Sequence, residues 1–414
     1  MCSIYGAVGY DVEEMERWVR SLSRFAKDRG RDGGDIMQYQ LDRGVFALLG
    51  NWRATPTTEA EVAPFQPYDG VVHNGTIAND KELGNPPGAV DSMILPKVLD
   101  RSDVHAFAAS LQKVKGSYAV AAVAASTVLV AVNYKPLYYM KLGDSVFFSS
   151  MERHFRSLES YGMRPARLKP YTALDLLTGE VGLLPRWQPK RALVICSAGL
   201  DSTTAAAKLK HDGYEIALLH FNYGCRAEGP ETERIRRIGD RLGAPVIIQP
   251  LDYSSMVGGS PLLDQSKEIA PSVAGAEFAH EWVPARNLLM IAHAVAYAEA
   301  NDYGYVALGN NLEEAGSYPD NEEEFTGLLD MALEYAVSDG RRVQLLSPVG
   351  RLMKHEIVKL GLEIGAPLDL TWSCYRGGER HCGECGPCYM RKAAFARSGA
   401  DDPVFAHERA ALTS

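Results

Sequence analysis

The chain has 414 residues, more than one hydrophobic core usually supports, so two domains are expected. With 46% hydrophobic and 23% charged residues it reads as an ordinary soluble protein, and no apolar run reaches the roughly 18–20 residues that cross a bilayer. A net charge of -9 gives no global attraction to nucleic acid, a local basic patch aside, and the opening residues lack the basic-then-apolar design of a signal peptide, so a cytoplasmic location is expected.

The chain opens Met1-Cys2-Ser3-Ile4-Tyr5-Gly6. Removal of Met1 leaves Cys2 with a thiol and a free α-amine on one residue. Such an amine titrates near about 7.7–8.0, so part of it is unprotonated at neutral pH and takes the thiol's proton. The pattern suggests an N-terminal-nucleophile amidohydrolase. A helical pattern follows, with Met15, Trp18, Val19, Leu22 and Phe25 on one face. Short β-like runs come next at 45–49, 70–73, 118–123, 127–132 and 145–148, and the mixture predicts sheets covered by helices. Two prolines and lost periodicity around Leu183 to Lys190 mark a boundary, giving domains 1–186 and 187–414. Beyond it, apolar runs at 192–196, 216–221, 246–249, 305–308 and 343–346 alternate with longer helical patterns, the rhythm of a buried parallel sheet.

In the first half, Arg53 of Asn51-Trp52-Arg53-Ala54-Thr55 can hold a carboxylate by a bidentate pair. His73-Asn74-Gly75 offers a side-chain amide and a backbone N–H to a developing oxyanion, and Asp91 offers a carboxylate to an ammonium. In this order the words resemble class II glutamine amidotransferases, over roughly the first 160 residues, through Gly116-Ser117-Tyr118, Lys135-Pro136-Leu137 and Phe148-Ser149-Ser150-Met151-Glu152. The resemblance implies an αββα N-terminal-nucleophile hydrolase fold, Cys2 as nucleophile, Asn74 and Gly75 as oxyanion hole, and Arg53 and Asp91 as glutamine ligands. Two words depart from the family: Ser3 stands for its Gly, and Arg31 for the Pro of Arg29-Gly30-Arg31-Asp32. Neither removes a reacting group.

In the second half, strand 192–196 runs into Ser197-Ala198-Gly199-Leu200-Asp201-Ser202 and a helix. Small residues there let the backbone approach an anion, and free N–H groups with the helix dipole suit a pyrophosphate. The turn lacks the Gly-Lys-Ser/Thr ending of a Walker loop. It resembles the Ser-Gly-Gly-x-Asp-Ser loop of ATP pyrophosphatases, with Ala198 for one Gly, which implies a parallel-sheet α/β domain that binds ATP with Mg²⁺, Asp201 being the candidate Mg²⁺ partner. Of seven cysteines, Cys374, Cys382, Cys385 and Cys388 fall within fifteen residues, a spacing that closes around one tetrahedral, structural Zn²⁺, with an iron–sulfur cluster as the alternative. Cys196 reads as a buried strand residue and Cys225 as a loop thiol.

The words Trp282-Val283-Pro284-Ala285-Arg286-Asn287, Ser347-Pro348-Val349, Lys354-x-Glu356-Ile357 and Thr371-Trp372-Ser373-Cys374-Tyr375 resemble the 7-cyano-7-deazaguanine synthase family, QueC, from about 191 to 395. By family position, Arg286, Tyr318, Asp320 and Lys354 are substrate or phosphate contacts. The acidic flanks of Tyr318-Pro319-Asp320 (Glu313, Glu314, Glu322 to Glu324) look like the amidotransferase-fused version, GAT-QueC, or form a solvated loop. That resemblance implies glutamine-derived ammonia, passed through an interior path, converting a 7-cyano or adenylated 7-amido group of a 7-deazaguanine to the archaeosine-type 7-formamidino group. The alternative within the class is nitrile synthesis from the 7-carboxy base with ATP. A free base, tRNA or DNA stays open as acceptor, as does oligomeric state, synthases of this family commonly being dimers. From another class, a zinc ribbon with Arg376, Arg380, Arg391 and Lys392 beside it permits nucleic-acid binding.

Overall fold

The computed structural model describes residues 2–55, 65–159, 162–253, 259–272 and 281–406. The chain divides into two compact units, Met1–Arg186 with Ser338–Gly340, and Trp187–Val337 with Arg341–Ser414. Among the described residues no helix is long and apolar enough to cross a membrane.

The first unit is a pair of antiparallel sheets. Its strands are β1 (Ser3–Gly9), β2 (Gly33–Gln40), β3 (Phe46–Arg53), β4 (Val71–Ile77), β5 (Gly116–Val123), β6 (Val128–Val132), β7 (Tyr138–Leu142), β8 (Ser145–Ser149), β9 (Ala166–Arg167), β10 (Thr172–Asp175) and β11 (Val181–Leu183). They order as β2-β3-β1-β8-β7-β9 and β11-β10-β6-β5-β4. Alternation along each strand builds two layers of core. Ile4, Val8, Ala47 and Leu49 of one sheet meet Val72, Ala119, Ala121 and Val130 of the other. The odd partners Tyr5 and Ala7 turn outward under the helix Val12–Ala26, packing on Met15, Val19 and Leu22. Asp11 caps that helix by accepting the Glu14 N–H at 3.0 Å. The helix Val104–Ser110 covers the second sheet through Phe107 and Ala108 against Ala173 and Leu129. This αββα layering is the fold class expected for this half.

The second unit is a five-stranded parallel sheet: β12 (Arg191–Ile195), β13 (Glu215–Asn222), β14 (Val246–Pro250), β15 (Tyr305–Ala307) and β16 (Gln344–Leu346), ordered β14-β13-β12-β15-β16. Helices cover both faces. Ala192, Val194, Ile216 and Leu218 pack under helices Leu200–His211 and Glu228–Leu242. Leu193, Ala217 and Leu219 pack under helix Arg286–Ala300 and, with Val343 and Leu345, near helix Glu323–Ala336. Chain order reverses between β12 and β15, and in such sheets the ligand crevice lies outside the carboxyl ends of the strands at that reversal.

Candidate functional site

In the first unit, strand register brings the sequence-singled residues together. Ser3 pairs with Trp52, so one step back sets Cys2 opposite Arg53. Cys2 shares parity with Ile4, Arg53 with Leu49, and Asn74 with Val72, all of which face the space between the sheets. The Cys2 thiol lies 3.8 Å from the Ala54 carbonyl oxygen. Asn74 is almost fully buried, and its Nδ2 has no hydrogen-bond partner, an orphaned donor on a strand whose Val72 faces the same inter-sheet core as Ile4. Gly75 is required by space: a Cβ there would stand 1.8 Å from the Ser117 carbonyl oxygen, at a φ of +155°. Buried His73 touches that same carbonyl through Nε2 at 3.3 Å and Ser92 Oγ through Nδ1 at 2.8 Å. Burial pushes its pKa down, so the ring is neutral. Asp91 accepts the Ile77 N–H at 2.6 Å and the Ser92 N–H at 2.7 Å, tying its loop to β4.

Two further residues join this group: Tyr68, which carried no sequence signal, and Arg29, which stood in a family word but was given no role. Tyr68 is raised by burial, with Arg53, which hydrogen-bonds it, pulling the other way and with Asp91 and Cys2 in electrostatic reach. Arg29 is lowered by burial and feels the charge of Cys2. The departure at Arg31 leaves Asp32 in service: its carboxylate accepts the Thr55 N–H at 2.6 Å, which holds its pKa below the usual range and fixes the segment after Arg53.

In the second unit a cleft opens at the strand-order reversal, lined by Ser197, Gly199, Leu200, Asp201 and Ser202 of the loop, with Gly309, Asn310, Arg286 and Lys354. Gly309 lets β15 close on the loop, since a Cβ there would lie 2.6 Å from the Ser202 Cα and 2.7 Å from its nitrogen. Ala198 adopts φ +62°, a left-handed backbone that the family's Gly takes without strain. The buried methyl is tolerated because the Ala198 carbonyl accepts the Trp372 N–H at 2.9 Å and locks the turn.

A charged triad built around buried Lys354, with half-buried Asp201 and Glu314, lines the cleft. Lys354 Nζ lies 3.2 Å from Asp201 and 2.8 Å from Glu314. Burial lifts the Asp201 pKa to about 6, against the pull of Lys354 and with a further push from Glu314. For Glu314, burial acts upward but Lys354 wins, holding it below the ordinary value. For Lys354, burial acts downward and the two carboxylates overcome it. Asp201 keeps one buried oxygen, Oδ1, with no partner in the structure. An orphaned carboxylate oxygen beside a phosphate-type loop suits a divalent cation. The acidic segment thus divides: Glu314 serves the cleft and Glu313 accepts the Lys354 N–H at 3.2 Å, whereas Glu323 forms an exposed pair with Arg351. Arg286 and Lys354 line the cleft; Tyr318 and Asp320 stand outside its lining, the Tyr318 ring stacking on Trp282 at 6.3 Å.

The sulfurs of Cys374, Cys382, Cys385 and Cys388 all lie within 4.8 Å of one another. A tetrahedral ion with M–S bonds of about 2.3 Å needs sulfurs roughly 3.8 Å apart, so the four thiols fit a metal ion with small adjustment. Backbone N–H groups of Cys382, Glu384 and Cys385 point at Cys374 and Cys382 sulfurs at 3.3–3.4 Å, as thiolates require. Of the basic residues beside them, Arg391 is no surface charge: it is buried, grips Asp402 at 2.8 and 3.0 Å, and donates to Leu368 O at 3.1 Å. Arg376 pairs with Glu384 at 3.0 Å, and Lys392 donates to the Gly383 carbonyl. Cys196 is buried just after β12, and Cys225 lies in the loop after β13 with its thiol buried too.

Fold and cleft define an α/β enzyme whose second unit is of the ATP-pyrophosphatase kind. The chain belongs to the family described as queuosine biosynthesis protein QueC, whose model matches residues 191–399. It is similar to the 7-cyano-7-deazaguanine synthase of Saccharolobus solfataricus, 40% identical over 98% of this chain and 99% of that one. The enzyme of the same description from Methanothermobacter thermautotrophicus is 42% identical over 52% of this chain and 98% of its own. Among solved structures, the glutamine phosphoribosylpyrophosphate amidotransferase of B. subtilis matches at a TM-score of 0.36 and 15% identity, covering 94% of this chain and 96% of that one, too distant to carry an argument.

Proposed function

We propose that this chain is a cytoplasmic glutamine-dependent amidotransferase acting on a 7-deazaguanine. With Met1 removed, the Cys2 α-amine takes the thiol proton and the sulfur attacks the glutamine side-chain amide carbon. Asn74 Nδ2 and the Gly75 N–H receive the oxyanion, while Arg53 and Asp91 hold the α-carboxylate and α-ammonium. Ammonia leaves, and water releases glutamate from the thioester. In the second unit the 197–202 loop and the following helix N-terminus cradle the ATP phosphates, and Asp201 would hold Mg²⁺, which neutralises phosphate charge when bound. The oxygen of a 7-amido group takes the AMP moiety with loss of pyrophosphate, and ammonia then displaces AMP to give the 7-formamidino group. A 7-cyano group accepts ammonia directly, with no ATP. Delivering neutral NH₃ to that carbon, instead of the NH₄⁺ that prevails in water, is the purpose of joining the two chemistries in one chain. The four cysteines would hold a structural zinc that ties down the C-terminal segment.

The observation that carries the glutaminase half is the unpartnered, buried Asn74 amide, whose strand parity directs it into the same space between the sheets as Cys2 and Arg53. A second reading, nitrile synthesis from the 7-carboxy base with glutamine as nitrogen donor, is favoured by relatives named 7-cyano-7-deazaguanine synthase that align across both units. Mass spectrometry of the product from glutamine, ATP and either the 7-cyano or the 7-carboxy base decides. An amidine from the cyano base supports the first reading; a nitrile from the carboxy base, with the cyano base inert, overturns it. Running the assay on the free base and on tRNA or DNA carrying it identifies the acceptor, and sedimentation tests the homodimer.

A further inference from the structure

One carboxyl in the cleft has no task in the chemistry above. Glu231 sits in the first turn of helix Glu228–Leu242 and lines the cleft with Tyr223, Arg286 and Tyr375. The structural task a glutamate has at such a turn is already taken, because Glu228 accepts the Gly224 N–H at 2.7 Å. Glu231 itself makes no side-chain hydrogen bond or salt bridge among the described residues. Burial lifts its pKa to about 8, and the nearby Arg286 does not cancel that rise. Arg286 instead reaches the Tyr223 hydroxyl, 3.4 Å from Nη1, and stands 5.9 Å from the Tyr223 ring. Tyr223 and Tyr375 are themselves raised by burial, so half-buried Glu231 stands beside two aromatic walls.

A carboxyl left unpartnered in a largely desolvated, aromatic-walled cleft is costly unless a ligand brings donors to it. Phosphates bring only acceptors. The edge of adenine sets an acceptor beside its amino donor, which only the protonated carboxyl matches. A guanine-type edge sets two donors side by side, the ring N1–H and the exocyclic 2-amino group; a carboxylate accepts both, and two hydrogen bonds to the charged form pull the pKa back down, so the base ionises the carboxyl as it binds. Carbon 7 is on the other ring, so a base held this way leaves its 7-substituent free to react. Resting on the functional reading above, we infer that Glu231 determines base specificity by accepting the N1–H and 2-amino donors of the 7-deazaguanine.

The test uses the full chain with ATP and an ammonium salt, which bypasses glutamine, on a 7-amido-7-deazaguanine and on its analogue lacking the 2-amino group. Wild type should use the analogue 10- to 100-fold less well in kcat/KM, the range for a lost hydrogen bond to a charged group. Glu231→Gln should raise KM for the parent base by a similar factor, leave KM for ATP in place and erase the discrimination; Glu231→Asp should restore part of it. Equal loss on both bases, or a rise in KM for ATP matching that for the base, overturns the assignment. A wild-type chain that turns over neither base overturns the functional reading itself, an outcome the variants do not mimic. Melting temperatures of both variants at or above wild type exclude misfolding as the cause.

Discussion

The two units solve the problem of a reactive site in opposite ways. In the antiparallel unit the candidate groups belong to paired strands: Cys2 before β1, Arg53 closing β3, and Asn74 and Gly75 in the middle of the edge strand β4. Their positions are fixed by register and by a glycine that no larger residue can replace, and the notable unpaired group is a neutral amide. In the parallel unit the groups come from the first turns of helices that follow the carboxyl ends of strands and are held by charge, Lys354 between Asp201 and Glu314. A site held by backbone pairing tolerates loss of a side-chain charge but not of space; a site held by an ion triad shows the reverse.

Predictions that break or sharpen this contrast run from large to small. Cys2→Ala should remove glutamine-dependent product formation by at least about 1000-fold while ammonium-dependent formation persists, measured as product per enzyme with each nitrogen source. Persistence of glutamine use would refute the division of labour. Lys354→Met leaves two half-buried carboxylates unpaired and should cost about 1–3 kcal/mol in denaturant unfolding, with loss of ATP-dependent turnover. An Asn74→Leu variant, which removes a donor that has no partner, should by contrast change stability by less than about 1.5 kcal/mol while glutaminase activity falls by about 100-fold or more. The Glu231 pKa supplies a pH signature. Folded near 8 and unfolded near 4.5, the group stays protonated in the fold while the unfolded chain ionises. Its contribution is therefore fully present below about 4.5 and is lost as pH rises to 8, so Glu231→Gln should gain melting temperature over wild type across that window, with the gap constant above it. Smallest of all, Ala198→Gly relieves a left-handed alanine but loosens the unfolded chain, and should shift stability by no more than about 1 kcal/mol.

How much of this was legible in the sequence follows the same contrast. All five strands of the parallel sheet stand out as apolar runs, because helices bury both of their faces. The strands β1 and β2 did not. β1 is buried on both faces yet contains Gly6 and Gly9 and no alternation, and β2 is a half-exposed edge. Cys2, Arg53 and Asn74 were readable as short words, but their common face needed the register of β1 on β3. Asp201 and Lys354 were singled out separately; that they share a salt bridge with Glu314 needed a fold that joins residues 40 positions apart. Tyr68 and Glu231 were invisible, one in a loop without periodicity, the other indistinguishable from the solvated acids around it until burial is known.

The most direct measurement is transfer of label from amide-¹⁵N glutamine. Incubated with ATP and a 7-cyano- or 7-amido-7-deazaguanine, with unlabelled ammonium present as competitor, the chain should yield a 7-substituent carrying ¹⁵N in preference to ¹⁴N. Product whose nitrogen follows the free ammonium pool, or glutamine left intact while the base reacts, would contradict the account.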